Sequence, residues 1–393
     1  MIAVADARAR LLALVVPMPE TMVPLRHACG RVLARDIAAT APQPPFAASA
    51  MDGYALSGSP TPGDTFAIVG EAAAGRPFDG MPNPGEAIRI FTGAPVPQGA
   101  DRIVIQEDVS RDGDVITLTA AQDEGTHIRP AGADFDAGFT LAAPRPLDPA
   151  AIALAAAMDH PVLPVRRRPR IAILMTGDEL APPGTPLAPG MVRASNGYGL
   201  VAMVEDAGAE ARLLPIARDT PHGLRAALDL AGDADLIITI GGASVGDHDL
   251  VAATAGEAGL DLAFHKVAMR PGKPLLAGRL GRAVLIGLPG NPVSSMVCGA
   301  IFILPMIEAM LGMPPGPHLR HAPLAAPVAA NGPREHYMRA TLDAEGALTI
   351  LPRQDSSLLS VLAASDALVM RPPGDPARVI GEALPYLPIG PRH

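Results

Sequence analysis

The sequence predicts a multi-domain α/β and β protein built around a central doubly wound α/β domain. Three observations carry that expectation. The chain has 393 residues, too many for one ordinary core. Between 170 and 311, continuous apolar runs alternate with helical segments, the order of a parallel sheet covered on both faces. On either side of that region, short strand-like stretches alternate with Gly and Pro turns.

Taken in order, the apolar run over 11–16 reads as an amphipathic helix that ends at Pro17, and the Pro17-Met18-Pro19 segment as a turn. The cluster Pro42-Gln43-Pro44-Pro45 marks a boundary. From 46 to about 133, strands are expected over 66–69, 87–91, 103–106 and 115–118. An alanine-rich helix over 149–158 follows Asp148-Pro149, a good helix start with proline early in the first turn. In the central region, strands over 171–176, 211–216, 236–240 and 283–288 alternate with helices near 198–207 and 221–231, and an apolar helix over 293–311 closes the domain. The sheet is expected to be parallel. After Pro314-Pro315-Gly316-Pro317, stretches over 337–342, 348–351 and 367–370 predict a compact β domain.

Composition narrows the function. Hydrophobic residues at 49 % and charged residues at 18 % describe a folded globular chain despite 44 prolines and 40 glycines. A formal net charge of -9 argues against coating a nucleic-acid backbone, which needs a surplus of Lys and Arg. The absence of Trp and 3 % aromatics remove the stacking platforms of a single-strand binder. Cys29 and Cys298 form neither a disulfide scaffold nor a zinc spacing, and a reducing cytoplasm fits. Both apolar stretches near the N-terminal half are too short to span a bilayer, so no membrane partner is expected.

Four segments could carry chemistry. In the run from Thr239 to Asp249, Gly241 and Gly242 allow a tight turn whose following amides, with Ser244 and Gly246, could converge on a phosphate. Asp247, His248 and Asp249 then place carboxylates beside that anion, which a divalent cation would bridge, and Mg²⁺ is the economical choice. A glycine pair after a strand is equally an ordinary turn. Thr176-Gly177-Asp178-Glu179-Leu180 ends a strand at the same sheet edge, where Glu179 could hold a metal, a ribose hydroxyl or a helix amide, and Asp178 reads as a cap. In Lys266 to Pro274, two prolines and a glycine restrict the backbone between Arg270 and Lys273, a fork and a point charge suited to a tetrahedral dianion. Gly287 to Ser295 reads as a strand-to-helix connection, with Ser294 and free amides able to bind an anion or Asn291 and Ser294 simply capping the helix.

Other features are weaker alone. Arg129 and Asp134 around Gly132 could be an ion pair fixing a domain joint. His160, His222 and His265 have no mutual metal-ligand spacing. No Walker loop, Gly-x-Ser-x-Gly elbow, paired CxxC or HExxH occurs, which counts against a nucleoside triphosphatase, a serine hydrolase and a zinc enzyme.

Together, Ser49-Ala50-Met51-Asp52-Gly53-Tyr54-Ala55, Phe91-Thr92-Gly93-Ala94-Pro95-Val96-Pro97, Thr176 to Leu180, Gly241 to Asp249, Arg270 to Pro274 and Gly287 to Ser294 resemble the molybdopterin molybdenumtransferase family, to which the gephyrin E domain is related. The likeness runs through nearly the whole chain. It implies a split N-terminal linking domain, 1–45 with 135–168, an inserted β-rich domain at 46–134, a molybdopterin-binding α/β domain at 169–314 and a C-terminal β domain at 315–393. It also implies a cytoplasmic homodimer that inserts molybdate into adenylated molybdopterin with Mg²⁺ and releases AMP. An adenylyltransferase partner and molybdoenzyme apoproteins would supply the substrate and take the product.

The family pattern places Asp52, Asp134, Glu179 and Asp249 as catalytic acids, with Glu179 and Asp249 on the metal. It places Thr92, Arg129, Asp219, Gly241, Gly242, Ser244, Gly246 and Lys266 on the substrate, and Arg270, Lys273, Pro274, Ser294, Arg339 (or Arg334) and Ser356 (or Ser357) on molybdate. Two positions depart from it: many members carry Asp-Asn where this chain has Ala47-Ala48, and some carry Lys in place of Arg270. The alternatives are a molybdopterin adenylyltransferase, which would consume ATP, and a gephyrin-like scaffold without turnover.

Overall fold

The computed structural model describes residues 1–120, 125–242 and 250–389. The central domain carries a six-stranded sheet in the order Glu210–Leu213, Arg170–Met175, Leu236–Ile240, Ala283–Leu288, Leu276–Leu280, Asp261–His265. The first four strands are parallel, so their C-terminal ends share one edge. The sheet as a whole is mixed, which corrects the parallel expectation. Leu276–Leu280 runs antiparallel to both of its neighbours. The reason is local: only two residues, Gly281 with a positive φ of 59° and Arg282, join Leu276–Leu280 to Ala283–Leu288, and a hairpin can only return antiparallel.

Both faces of this sheet are covered. Ile171, Ile173, Ile238 and Ile286 belong to one apolar cluster, and Ala172, Leu174, Ile237 and Leu285 to another. Because alternate residues enter opposite cores, the strands need apolar residues at nearly every position, which is why they read as unbroken runs. The helix Pro221–Ala231 starts at Thr220, whose hydroxyl accepts from the Gly223 amide, and buries Leu224, Ala227, Leu228 and Ala231 at helical spacing. Burying each leucine contributes about 1.5–3 kcal/mol.

The expected long helix after 292 is Pro292–Cys298, a π-helical turn Gly299–Ile303, and Leu304–Met310. Pro305 lacks the amide an unbroken α-ladder would use. Among the described residues, this stretch is long and apolar enough to cross a membrane, and 78 % of its window is buried inside the fold, so it is a core helix.

The N-terminal helix Val4–Leu14 buries Val4, Ala7 and Leu11, and these join the central-domain cluster rather than a core of their own. Residues that follow pair with a distant segment. Glu20–Pro24, Val162–Arg166, Val32–Leu33 and Arg145–Pro146 form one sheet in that order, packed under the helix Pro149–Ala157. Asp148 caps that helix by accepting from the Ala151 amide at 2.7 Å, as its sequence suggests.

Between them rises an inserted module whose stem is antiparallel: Ile37–Ala38 with Thr140–Leu141, Gln43 bridged to Phe135, and Ala48–Ser49 with Ile128–Arg129. Its six-stranded sheet holds the four predicted strands and adds Gly53–Leu56 and Val109–Asp112. At the C-terminal end a β domain orders Met269–Arg270, Glu335–Leu342, Ala367–Arg371, Ala383–Pro388 and Arg320–Pro323. Its first strand is lent by the central domain, with Arg270 beside His336.

Candidate active site

The larger of two adjoining cavities, about 680 Å³, opens where Arg170–Met175 and Leu236–Ile240 end. It is lined by Thr176, Glu179, Asp219, Gly241, Gly242 and Asn291, among others. Thr176 builds its floor. The Thr176 amide donates to the Ile240 carbonyl at 3.0 Å, and its hydroxyl donates to the Asp219 carboxylate at 2.5 Å. Asp219 is held from a second side, because its amide donates to the Asp178 carboxylate at 3.4 Å. Asp178 therefore ties two loops and, among the described residues, caps no helix, unlike the capping expectation: the chain after Glu179 enters the short strand Leu180–Ala181.

The glycine turn has a steric cause. Gly241 has a φ of 91°, and a Cβ there would lie 2.6 Å from the Thr176 carbonyl oxygen. Gly242 has a φ of 66°, and a Cβ there would lie 2.7 Å from Val251 Cγ2. A side chain at Gly241 would push the two strand ends apart, and one at Gly242 would displace Val251 and the helix Leu250–Glu257 that carries it. Ser244, Gly246, Asp247, His248 and Asp249 lie outside the described residues.

The smaller cavity, about 280 Å³, is cationic. Arg270, Lys273 and Arg334 line it together with Ser294, Asn291, Asp355 and Ser356. Pro274, Pro289 and Asn291 line both cavities and so form the wall between them. The Ser356 carbonyl accepts from the Val293 amide at 3.0 Å, and its hydroxyl accepts from Asn291 Nδ2 at 3.0 Å, so two domains meet at the site. Asp355 stays ionised well below the usual carboxylate range because the Ser357 hydroxyl and amide donate to it. Ser357 is thereby committed to Asp355, and Ser356 is the serine that lines the cavity.

Arg339 sits behind the cavity. It is fully buried, donates to the carbonyls of Arg353 at 3.3 Å and Asp355 at 3.2 Å, and among the described residues keeps Nε and Nη1 without a partner. Its main chain is clamped by Gln354, which accepts from the Arg339 amide at 3.0 Å and donates to its carbonyl at 2.9 Å. Arg339 thus braces the loop carrying Asp355 and Ser356, while Arg334 faces the cavity. His336, between these arginines, is pushed down to about 4 by burial and by Arg270, Arg339, Arg371 and Arg334.

A third group forms in the inserted module. Asp52 accepts from both the Thr92 amide and hydroxyl at 2.8 Å, which hold it below the usual carboxylate range. Arg89 lies over the rings of Tyr54, at 4.9 Å, and Phe91, at 4.7 Å, and donates to the Gly53 carbonyl. Pairing of Ser49 with Ile128 brings Arg129 to the same stem. Arg129 and Asp134 are both exposed and do not pair with each other, so the expected ion pair is absent. Arg129 is held in register opposite Ala48, while the Asp134 amide donates to the Gln43 carbonyl. None of Asp52, Thr92, Arg129, Asp134 or Lys266 lines either cavity.

Thr176, Asn196 and Asn291 have positions at the site that sequence reasoning did not assign. Asn291 had a signal, since its Gly-Asn-Pro setting looks like a cap, but the helix it precedes receives no side-chain cap bond from it.

Three family models match in chain order: "MoeA N-terminal region (domain I and II)" over 2–158, "Probable molybdopterin binding domain" over 172–309 and "MoeA C-terminal region (domain IV)" over 321–389. Molybdopterin molybdenumtransferase 2 of Mycobacterium tuberculosis is 40 % identical over 343 residues, covering 84 % of each chain. The molybdopterin molybdenumtransferase of Synechococcus elongatus is 34 % identical, covering 91 % of this chain and 92 % of that one. Among solved structures, the molybdopterin biosynthesis MoeA protein of Pyrococcus horikosii superposes with a TM-score of 0.85 at 25 % identity, covering 100 % of both chains. With relatives of this similarity matched along most of their length and the same domain order throughout, the chain belongs to the molybdopterin molybdenumtransferase family.

Proposed function

We propose that this transferase of molybdenum cofactor biosynthesis inserts molybdate into adenylated molybdopterin and releases AMP. The observation that carries the reading is the pair of cavities sharing the wall Pro274, Pro289 and Asn291, one with a glycine turn and acids, the other with Arg270, Lys273 and Arg334. Such a pair holds two oxyanions side by side without letting their charges meet unscreened.

The larger cavity takes the pterin adenylate, with its phosphates toward Gly241 and Gly242. Arg270 and Lys273 hold molybdate, a tetrahedral dianion, with Ser294 and Ser356 as neutral donors and Pro274 shaping the wall. Holding both reactants removes most of the entropic cost of their encounter. Water adds to the phosphoanhydride and frees AMP from the pterin phosphate, while the two dithiolene thiols displace one molybdate oxygen, which leaves with their protons as water, so no oxidant or reductant is needed.

Glu179 and Asp219 share the larger cavity. Two carboxylates and a phosphate suit Mg²⁺, which keeps several waters and uses few protein ligands. Among the described residues no group of three or more acids, histidines or cysteines gathers as a metal site. When bound, Mg²⁺ would neutralise phosphate charge, with Asp249 as a further proposed ligand.

Asp52, Thr92, Arg129 and Asp134 lie on an exposed module away from both cavities, so in this reading they serve the cleft of a second copy in a homodimer. A cytoplasmic location and exchange with an adenylyltransferase and molybdoenzyme apoproteins belong to the same proposal. Incubation with adenylated molybdopterin, molybdate and Mg²⁺ tests it: AMP and a cofactor that activates a molybdenum apoenzyme are expected. Absence of both products, or a requirement for ATP, overturns it.

A further inference from the structure

Asn291 occupies the position before a helix where an asparagine side chain ordinarily accepts from a first-turn amide. Here it makes no such bond. Its Nδ2 instead reaches across the domain boundary to Ser356 Oγ at 3.0 Å. The helix start is served otherwise: the Val293 amide donates to the Ser356 carbonyl, and the Ser295 amide to the Asn291 carbonyl.

A hydroxyl has one proton and two lone pairs. Because Ser356 Oγ accepts from Asn291, its own proton is directed elsewhere, and no acceptor within the described residues takes it. Both residues line the smaller cavity with Arg270, Lys273 and Arg334. An oxyanion there offers the missing acceptor. Asn291 also lines the larger cavity, and the adjacent Gly290 carbonyl is anchored by Asn196 Nδ2 at 2.7 Å.

We propose that Asn291 is a positioning residue that fixes the Ser356 hydroxyl as a donor toward the tetrahedral oxyanion. This rests on the reading of the smaller cavity as the molybdate pocket. Asn291 then acts on the anion through Ser356, so removing either residue removes the same hydrogen bond.

Calorimetric titration of molybdate into the wild-type protein, Asn291→Ala, Ser356→Ala and the double variant tests the coupling. Loss of a charge-assisted hydrogen bond should weaken each single variant by about tenfold. The double variant should bind no more than about twofold more weakly than Ser356→Ala, since coupled residues are not additive. Wild-type affinity in Asn291→Ala, or losses that multiply in the double variant, overturn the inference while leaving the oxyanion pocket intact. A wild-type protein that does not bind molybdate overturns the pocket reading and the inference with it. If Asn291→Ala does not fold, Asn291→Asp serves. Its carboxylate would take the Ser356 proton and weaken molybdate by more than tenfold, and wild-type affinity there is equally fatal.

Discussion

The Thr176 hydroxyl donates to the Asp219 carboxylate at 2.5 Å, joining the end of one central strand to the loop after the next. Thr176→Val keeps the shape and removes that donor. A hydrogen bond to a charged group contributes about 1.5–3 kcal/mol, so AMP release should fall by roughly tenfold or more. Thr176→Ser should restore most of it. Equal rates for the valine and serine variants would show that the hydroxyl does not position Asp219.

Gly241 packs its Cα against the Thr176 carbonyl with a φ of 91°. Gly241→Ala should cost about 2–4 kcal/mol in urea unfolding, combining a disfavoured conformation with a backbone clash. Unchanged stability would show that the turn relaxes freely.

In the C-terminal domain, Asp375 takes hydrogen bonds from the buried Arg371 and from Arg378. Removing the acid strands a buried guanidinium. Asp375→Ala should therefore destabilise the protein by about 3–5 kcal/mol. Replacing Arg371 by Met in the same chain should recover part of that loss in thermal unfolding.

Burial and four arginines push His336 from 6.5 to about 4. The unfolded chain then binds a proton first as pH falls, so this residue subtracts stability between pH 6.5 and about 4 and nothing above. Between pH 7 and 5 the loss should be roughly 2 kcal/mol. His336→Gln, which does not titrate, should flatten the urea-denaturation profile in that window.

The parts of the fold that were legible are those whose cause is local. Leu236–Ile240 and Ala283–Leu288 are buried on both faces and must be apolar throughout, and Pro221–Ala231 carries its own cap and periodicity. The two-residue ladders, such as Ala48–Ser49 with Ile128–Arg129, exist only because distant segments meet, and nothing within two residues specifies that. Leu276–Leu280 was missed because Gly278 and Arg279 interrupt its apolar run; Gly278 is there because a Cβ would lie 2.3 Å from the Asp261 carbonyl oxygen. The site divides similarly. Gly241, Gly242, Arg270 and Lys273 announce themselves by backbone and charge. Asp219 has no local signal, so the family pattern alone places it until Thr176 is seen to hold it, and a fully buried Arg339, likewise placed by that pattern, runs against the usual exposure of arginine.

The inserted module leaves and rejoins its base through two antiparallel chains, from the pairing of Ile37–Ala38 with Thr140–Leu141 up to that of Ala48–Ser49 with Ile128–Arg129. Because the two chains are hydrogen-bonded to each other, Arg129 is held opposite Ala48 and so at a fixed spacing from the outgoing chain that carries Asp52. Breaking that short ladder would separate the two residues without touching either side chain.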